Sequence, residues 1–378
     1  MKILWFIENL CLGGQQTQSI NLIKEINKDS KNSIDVLYLN NGELKDEFKE
    51  VCSNLIHLSD FNKKDYQNPL KMVRIIKSYY TFLNKNKYNV VLSNGIISYG
   101  LTSTLKLFLN FTHVRLLGGP LLDIEPTYEK YFHSILPFHR KLDYAYGWLG
   151  ENTLEKRRYK NKLVILNPAV DSSMFYQKNI DLRLEVRNKY QIKENEIIIG
   201  WVGRISANMQ VKNTIALGGE LKRRGILNFK ILIVGGGDWE LEMADLIKNE
   251  DIFENCICLG WQPMKYIPDL FQAMDIVPLL EKNPSGGSIL REAMACGKLV
   301  ISVDGKNNAQ ASWIKNEDNG ILVSDNNYII ESADVIEDYL NNKSGKFDLI
   351  CKNGVRYAKT KMTFKMQSEI IMKSIIND

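Results

Sequence analysis

Short apolar runs alternate with amphipathic stretches along most of the chain, and this alternation constrains the fold more than any other feature. The apolar runs have the length of β-strands, and the stretches between them carry apolar residues at the three- and four-residue spacing of helices. The predicted strands are Ile3–Ile7, Ser33–Leu39, Val90–Ser93, His113–Leu117, Leu163–Leu166, Ile197–Val202, Lys230–Val234, Cys256–Leu259, Ile276–Leu279 and Leu299–Val303. The predicted helices are Gln18–Asn27, Leu70–Asn84, Thr214–Arg224, Trp239–Asn249, Ile267–Ala273, Ser288–Ala295 and Thr360–Ile376. Such an alternation predicts an α/β protein whose sheets are parallel and carry helices on both faces.

A break in the alternation divides the chain into two domains. The strand at Leu163–Leu166 is followed by the sequence N-P-A-V-D at residues 167–171 and by a polar, charged segment. We therefore assign residues 1–175 to one Rossmann-like domain and residues 176–359 to a second, as expected for a chain of 378 residues. Residues 360–378 lie beyond the second sheet, and we expect them to pack back onto the first domain as a helix. Because open parallel sheets bind ligands at the carboxyl ends of their strands, a ligand is expected in a cleft between the domains.

The net charge of +5 is unevenly distributed along the chain. Residues 1–175 hold 23 Lys and Arg against 17 Asp and Glu, whereas the remainder holds 26 against 27. An incidental solvated surface explains this excess, and so does an anionic partner such as a membrane surface or a phosphate-linked acceptor. Nucleic-acid binding is disfavoured because no basic stripe with interleaved aromatic residues is present.

Cysteine usage and the apolar segments indicate a cytoplasmic protein. The six cysteines show no zinc-type spacing, and we expect all of them to be reduced. Glu8 interrupts the first apolar run, no small-residue cleavage site follows, and no run reaches transmembrane length. We expect a protein of the cytoplasm that contacts the inner face of the membrane peripherally.

Three glycine-containing turns follow predicted strands. Gly13, Gly14 and Gln15 stand between the first strand and a helix, where glycine lets the backbone approach a ligand and a helix N-terminus favours an anion. Gly203 and Arg204 follow the first strand of the second domain, and Lys212 comes eight residues later. An Arg fork and a Lys charge at these positions suit a diphosphate. The third turn, at residues 235–237, lacks the last glycine of a dinucleotide fingerprint, and we interpret it as a strand-end turn without a catalytic role.

The loop and helix at residues 284–297 are the most informative segment. Their sequence is P-S-G-G-S-I-L-R-E-A-M-A-C-G, a glycine-containing loop followed by a short amphipathic helix that ends at Gly297. Backbone N–H groups of Gly287, Ser288 and Ile289 would point at a phosphate. The carboxylate of Glu292, one helical turn further on, would accept hydrogen bonds from ribose hydroxyls.

Residues 292–297 resemble the E-A-M-A-C-G signature of family 4 glycosyltransferases, which have the GT-B fold. Other elements occur in the family's order, and the resemblance is good from about residue 163 to residue 325. They are Gly13-Gly14 (the glycine loop), residues 167–171 (N-G-V-D), Gly203-Arg204 with Lys212-Asn213 (G-R and K-N), residues 273–278 (A-D-x-x-x-P) and residues 319–323 (N-G-x-L-V).

This resemblance implies a retaining, metal-independent hexosyltransferase that uses a nucleotide diphosphosugar and needs no cofactor. Arg204 and Lys212 would hold the diphosphate and stabilise its departure, and Glu292 would bind the ribose. The remaining implied donor contacts are Gly13, Gly14, Gln15 and Gly203, then Gly260, Trp261 and Gln262 beside the base, and Gly286, Gly287, Ser288 and Ile289 at the phosphates or the sugar.

Two positions depart from the family's pattern. The family has a second glutamate eight residues before the equivalent of Glu292, where this chain has Pro284, and Glu281 is the candidate to replace it. The family also often has a histidine after a strand in the middle of the first domain, whereas residues 115–120 contain none. His113 lies earlier and is interpreted as a packing residue.

These departures leave more than one function open. The leading hypothesis is transfer of a sugar, with UDP as the favoured nucleotide, to a glycan or lipid-linked acceptor in cell-surface polysaccharide biosynthesis. The basic first domain and the segments Leu105–Phe111 and Tyr131–Lys141 suit a membrane-held acceptor. Both segments also fit core helices, and for Leu105–Phe111 this is the favoured interpretation. The alternatives are a non-catalytic GT-B partner of another transferase and a nucleotide-sugar epimerase on the same fold.

Overall fold

The computed structural model describes the chain in two compact units. The described residues are 1–61, 65, 68–116, 143–147, 163–177, 180–207, 211–281, 288–305, 308, 310–342 and 344–376. The first unit comprises Met1–Asn167 together with Phe364–Asp378, and the second comprises Pro168–Thr363.

Each unit contains a parallel sheet. The strands of the first are β1 (Lys2–Asn9), β2 (Ser33–Asn40), β3 (Asn54–His57), β4 (Val90–Asn94), β5 (Thr112–Leu116), β6 (Tyr144–Gly147) and β7 (Leu163–Ile165), in the order β3-β2-β1-β4-β5-β6-β7. The strands of the second are β8 (Ile197–Val202), β9 (Phe229–Val234), β10 (Cys256–Cys258), β11 (Ile276–Leu279), β12 (Leu299–Asp304) and β13 (Ile321–Ser324), in the order β10-β9-β8-β11-β12-β13. The strand pairs in both sheets are parallel. The α/β class expected from the sequence is thereby confirmed.

Helices connect most of the strands whose linking segments are described. Within these segments the helices of the first unit are α1 (Gly14–Ile26), α2 (Lys45–Val51), α3 (Pro69–Asn86) and α4 (Ile96–Leu105), and the chain returns to this unit in α12 (Phe364–Ile376). Those of the second unit are α5 (Ile180–Lys189), α6 (Val211–Arg223), α7 (Glu240–Asn249), α8 (Ile267–Ala273), α9 (Ile289–Ala295), α10 (Tyr328–Asn341) and α11 (Lys346–Lys361).

Central strands carry apolar residues on both faces because helices cover both sides of each sheet. In β1, Ile3, Trp5 and Ile7 belong to one apolar cluster and Leu4 and Phe6 to another, and all are at most 1% exposed. The apolar run read from the sequence at residues 3–7 is therefore an interior strand of the first sheet.

The division between the units falls eight residues before the predicted boundary after residue 175. Val170 and Phe175 belong to the apolar cluster of the second unit, and the N–H of Val170 donates to the carbonyl oxygen of Met362 at 3.0 Å. The segment that begins at Pro168 is thus packed into the second unit, although it follows directly on the last strand of the first.

Two helices predicted from the sequence differ in the structure. The helix expected over Thr360–Ile376 is interrupted, because α11 ends at Lys361 and α12 begins at Phe364. The segment Leu105–Phe111 is not a core helix, because α4 ends at Leu105 and a turn follows in which Leu107 and Phe108 are exposed. The segment Tyr131–Lys141 lies outside the described residues.

Candidate functional site

The order of the second sheet places the candidate residues at one edge. Strands β8 and β11 are neighbours, yet the chain goes from β8 outward to β9 and returns to β11 on the other side. Parallel sheets of this kind bind ligands at such a reversal, beyond the carboxyl ends of the strands. Arg204 follows β8 and Glu281 follows β11, so both lie at this edge of the sheet.

Arg204 and Lys212 are exposed and available to an anion. Lys212 is the second residue of α6, and its neighbour Asn213 donates from Nδ2 to the carbonyl oxygen of Leu280 at 2.5 Å. This hydrogen bond ties the start of α6 to the loop after β11. The K-N pair thus combines an exposed cation with a residue that holds its helix in place.

Glu292 projects from α9, the helix that follows β11, and is half-buried. Burial raises the pKa of its carboxyl, while the neighbouring Arg291 and a hydrogen bond from Ser288 lower it. Burial also lowers the pKa of Arg291, which is 6% exposed. A carboxyl in such surroundings favours a partner that donates hydrogen bonds, as ribose hydroxyls do.

Glu281 is buried immediately after Leu280, and its carbonyl oxygen accepts from Asn308 Nδ2 at 3.4 Å. Asn308 also donates to the carbonyl oxygen of Val303 at 2.5 Å, so its side chain links the loop after β11 to the end of β12. Ser288 and Ile289 lie at the start of α9, and Ile289 is buried, so its side chain packs into the unit. Gly286, Gly287 and Pro284 lie outside the described residues.

The loops after β8, β9 and β10 are joined by backbone hydrogen bonds. The N–H of Ile205 donates to Gly236 O at 3.1 Å, and the N–H of Gly235 donates to Gly260 O at 2.8 Å. Gly235 has φ +143°, and a Cβ there would overlap the carbonyl oxygen of Gly203. A Cβ on Gly237 would overlap the carbonyl oxygen of Ile205. The glycine turn at residues 235–237 was not predicted to have a catalytic role. It nevertheless shapes the backbone beside Arg204.

Gly260, Trp261 and Gln262 form the turn after β10. Gly260 has φ +64°, and Gln262 donates from Nε2 to Leu259 O at 2.8 Å, which fixes the turn. Trp261 is 65% exposed, and its backbone N and Cβ lie 3.6 Å from the position that a Cβ on Gly236 would occupy. A large aromatic ring left open to solvent offers a flat surface for stacking.

In the first unit, the turn at residues 10–14 leads from β1 into α1. Glu43 Oε2 accepts from the N–H of Leu12 at 2.9 Å, and the Gln15 side chain donates to the Asn94 side chain. A Cβ on Gly14 would meet nothing within 4 Å, whereas one on Gly13 would come within 2.7 Å of the Gln16 side chain. Gly14 is therefore open to a ligand, while Gln15 is engaged with the end of β4.

His113 is buried in β5, as expected of a packing residue. Its Nε2 lies 2.9 Å from Ser93 Oγ, its ring is stacked at 5.7 Å on Tyr99, and burial holds its pKa well below the usual range. The guanidinium of Arg115 lies 4.3 Å from the centre of the same tyrosine ring. This polar cluster inside the first unit was not predicted from the sequence, because its members come from β4, α4 and β5.

Among the described residues, no group of three or more His, Cys, Asp or Glu side chains is arranged to hold a metal ion. Within the same part of the chain, no helix combines the length and the apolar character that are needed to cross a bilayer.

Comparison with known proteins finds sequence similarity in the second unit. Residues 183–357 match the family described as glycosyl transferases group 1. Alpha-D-kanosaminyltransferase of Streptomyces kanamyceticus is 26% identical over 122 residues, or 32% of this chain and 31% of that protein. N-acetyl-alpha-D-glucosaminyl L-malate synthase of Bacillus anthracis is 25% identical over 128 residues, or 34% of this chain and 32% of that protein. The matched segment thus spans about a third of each relative's length.

The fold extends the comparison to the whole chain. Anabaena HepE, solved in complex with UDP, superposes with a TM-score of 0.82 at 14% identity and covers 100% of both chains. The same protein with UDP-glucose gives a TM-score of 0.77 at 14% identity, over 99% of this chain and 100% of that one.

Two parallel-sheet α/β units of this topology define the GT-B class of glycosyltransferase fold. Over residues 183–357, which make up less than half of the chain, the sequence is similar to the glycosyl transferases group 1. The resemblance to family 4 that the sequence suggested is thereby confirmed.

Proposed function

We propose that this protein transfers a sugar from a nucleotide diphosphosugar, with UDP as the nucleotide, to a hydroxyl group of a glycan or lipid-linked acceptor in cell-surface polysaccharide biosynthesis. The observation that carries the proposal is that Arg204, Lys212 and Glu292 come from loops and helices at the carboxyl ends of the adjacent strands β8 and β11. The UDP and UDP-glucose complexes of HepE support the choice of nucleotide.

In this reaction the bond between the anomeric carbon and the diphosphate oxygen breaks, and a bond from that carbon to the acceptor oxygen forms. Arg204 and Lys212 neutralise the charge that develops on the departing diphosphate. The acceptor hydroxyl loses its proton, and the diphosphate is the natural group to receive it. Two side-chain cations perform the task that a metal ion has in other transferases, so the proposed reaction needs no metal ion. The resemblance to family 4 favours retention at the anomeric carbon, in which the acceptor oxygen bonds to the face that the diphosphate leaves.

The other candidate residues hold the donor. Glu292 accepts hydrogen bonds from the ribose, and Trp261 presents its exposed ring to the base beside Gly260 and Gln262. Gly13, Gly14, Gln15 and Gly203 allow close approach of the donor to the backbone, and Gly286, Gly287, Ser288 and Ile289 line its phosphates or sugar. Glu281 takes the place of the glutamate that Pro284 has replaced, and it binds the sugar.

The test is calorimetric titration with UDP, GDP and ADP, followed by the sugar conjugates of the nucleotide that binds. Arg204→Ala and Lys212→Ala are expected to weaken nucleotide binding by about 10- to 100-fold each, because each removes a charged hydrogen bond. Lys248→Ala, which removes an exposed lysine on α7, is the matched control and should bind like the wild type. Absence of binding by every nucleotide, or equal affinity in all variants, would refute the assignment.

The replacement of the glutamate by Pro284 also favours a second candidate, a GT-B protein that binds the nucleotide sugar without transferring it. The released nucleotide distinguishes the two functions. Binding of a sugar nucleotide with no release of nucleotide, in the presence of a panel of glycan and lipid-linked acceptors, would support the non-catalytic partner.

A further inference from the structure

The basic excess of the first unit is concentrated in one stretch of sequence. Residues 66–116 contain seven Lys and Arg and no Asp or Glu. Two of these seven are neutralised locally, since Lys71 pairs with Asp65 at 2.8 Å and Lys106 pairs with Asp143. A third, Arg115, is buried. The other four lie on α3 or at its end.

Helix α3 is fixed on the sheet by its inner face. Ile75, Tyr79 and Leu83 are at most 4% exposed and belong to the same apolar cluster as Leu4 and Phe6 of β1. The Asn68 side chain accepts from the N–H of Lys71 at the N-terminus, and Pro69 occupies the first turn. The helix is therefore a rigid part of the fold, and its outer face is presented in a fixed orientation.

The outer face carries cations that the described residues of the protein do not neutralise. Arg74, Lys77 and Lys85 are exposed on the helix, and Lys87 is exposed at its C-cap. Within the described part of the chain, none of these four forms an ion pair. Lys77 follows Arg74 by three residues, about one helical turn, and Lys85 follows Lys77 by eight residues, about two turns. The three side chains therefore lie on one side of α3.

Large apolar side chains share this face. Leu70 is 73% exposed, Val73 is 63% exposed and Tyr80 is 39% exposed. Leu70 is four residues before Arg74, and Val73 is four residues before Lys77, so apolar and basic residues adjoin each other on the outer surface. Leu70 and Val73 are one helical turn apart, so they form an apolar pair bordered by cations, which is the combination found on helices that bind at a membrane interface.

We propose that the outer face of α3 is a docking surface for an anionic lipid bilayer. Lys and Arg are attracted to lipid phosphates, and leucine, valine and tyrosine gain by entering the boundary between headgroups and acyl chains. A nucleic acid would use the cations but would leave Leu70 and Val73 without a partner, so the combination favours a bilayer. The surface deepens the proposed function, since it would bring the enzyme to a lipid-linked acceptor, but it does not depend on the donor chemistry.

The first test measures binding of the full chain to vesicles by co-sedimentation. Equimolar phosphatidylcholine and phosphatidylglycerol vesicles should bind the protein, and pure phosphatidylcholine vesicles should bind it far more weakly. Since each cation near an anionic surface contributes about a fivefold factor, the variant Arg74→Gln/Lys77→Gln/Lys85→Gln should lose roughly 100-fold in affinity. The matched control Lys352→Gln/Arg356→Gln/Lys359→Gln changes the charge equally on exposed positions of α11 and should bind like the wild type.

A second test separates insertion from simple charge attraction. Leu70→Ser/Val73→Ser keeps every cation and should weaken vesicle binding about tenfold or more, because buried aliphatic surface is lost. Leu241→Ser, at a leucine 82% exposed on α7, is its control. These variants leave the core of the protein intact, so unchanged thermal unfolding and nucleotide affinity are expected in all of them.

Several outcomes would overturn the proposal. They are no preference for anionic vesicles, equal losses in the α3 and α11 charge variants, or undiminished binding after the leucine and valine changes. Binding to a soluble polyanion that the α3 variants lose, with none to vesicles, would assign the surface to another partner. Nucleotide binding is measured separately from vesicle binding. A failure of vesicle binding therefore does not refute the transferase proposal, and a failure of nucleotide binding does not refute the membrane-docking proposal.

Discussion

Glu292 and Lys298 are ionisable side chains of the second unit whose pKa values are shifted chiefly by burial. Burial raises the pKa of the Glu292 carboxyl. Burial, assisted by the charge of Arg183 and opposed by that of Asp275, lowers the pKa of Lys298 to about 8. Lys298 donates to the carbonyl oxygen of Gln272 at 3.0 Å. In each case burial makes the charged form of the side chain less favourable in the folded protein than in water, which lowers the stability of the fold when the group is charged.

Glu292→Gln is expected to separate stability from binding. A folded pKa raised above the unfolded value means that the folded state holds the proton more tightly, so stability falls as the pH rises from about 4.5 through the folded pKa. The variant lacks this loss and should be at least as stable as the wild type at neutral pH, while nucleotide affinity falls. Urea unfolding from acid to neutral pH, with calorimetric titration of UDP, measures both. A variant that is less stable at neutral pH but binds UDP normally would contradict the role given to Glu292.

Lys298→Met is expected to alter the pH dependence of stability in alkaline solution. The folded pKa of about 8 lies below 10.5, the usual value for lysine, so between these values the unfolded chain binds more protons and stability rises with pH. The wild type should therefore gain stability relative to the variant as the pH rises through this window. Free energies of unfolding measured at both ends of the window check the expectation, and parallel curves for the two proteins would count against it.

At the scale of secondary-structure elements, the glycine turn after β9 should be the most sensitive connection of the second sheet to added side chains. Gly235→Ala places a Cβ against the Gly203 carbonyl in a backbone region that favours glycine, so we expect a loss of about 3 kcal/mol in the free energy of unfolding. Gly260→Ala also has positive φ but meets nothing within 4 Å, and it should cost about 1–2 kcal/mol. Equal losses measured by urea unfolding would show that close approach of the backbone is unimportant here.

Sequence patterns located the elements whose burial is uniform or periodic. Strand β8 and helix α8 were predicted within their observed bounds because their apolar residues follow one another or recur at helical spacing. Strand β3 was missed because it is a four-residue edge strand with the half-buried pattern N-L-I-H. Helix α4 was missed because it is surrounded by other elements and has no polar face, so its sequence shows no helical periodicity.

The candidate site was predictable only in part, for a similar reason. Gly203, Arg204, Lys212 and Glu292 follow strands in the sequence, and strand ends share one edge in any parallel sheet. The bond from Asn213 to Leu280 and the overlap between Gly235 and Gly203 depend on which strands are neighbours. That order joins distant parts of the chain, and no local pattern encodes it.

At the scale of the whole molecule, the two units differ in how the chain builds them. The second is one continuous segment, Pro168–Thr363, with its own apolar core. The first needs α12, because Ile371 and Ile375 are buried in the same cluster as Ile20 and Ile23 of α1. The Gln367 side chain also donates to Asn167 O at 2.6 Å, so α12 lies directly beside the end of the preceding segment of this unit.

Fragments should reflect this difference. Residues 168–363 alone are expected to unfold in one cooperative transition, whereas residues 1–167 alone should lack one, because an apolar face of their core is uncovered. Joining residues 364–376 to residue 167 through a short flexible linker should restore cooperative unfolding of the first unit. Circular dichroism and urea titration compare the three fragments, and cooperative unfolding of residues 1–167 alone would contradict the expectation.

The position of α12 also sets an order of events during synthesis. The sheet of the first unit leaves the ribosome before any of the second unit, but the helix that completes it is translated after the whole second unit. The half that is made first is therefore finished last, and its exposed core must wait for roughly 200 further residues at about 5–20 residues per second. Nascent chains arrested before residue 364 should accordingly be cleaved by protease within residues 1–167 and bound there by chaperones, and arrest beyond residue 376 should end both.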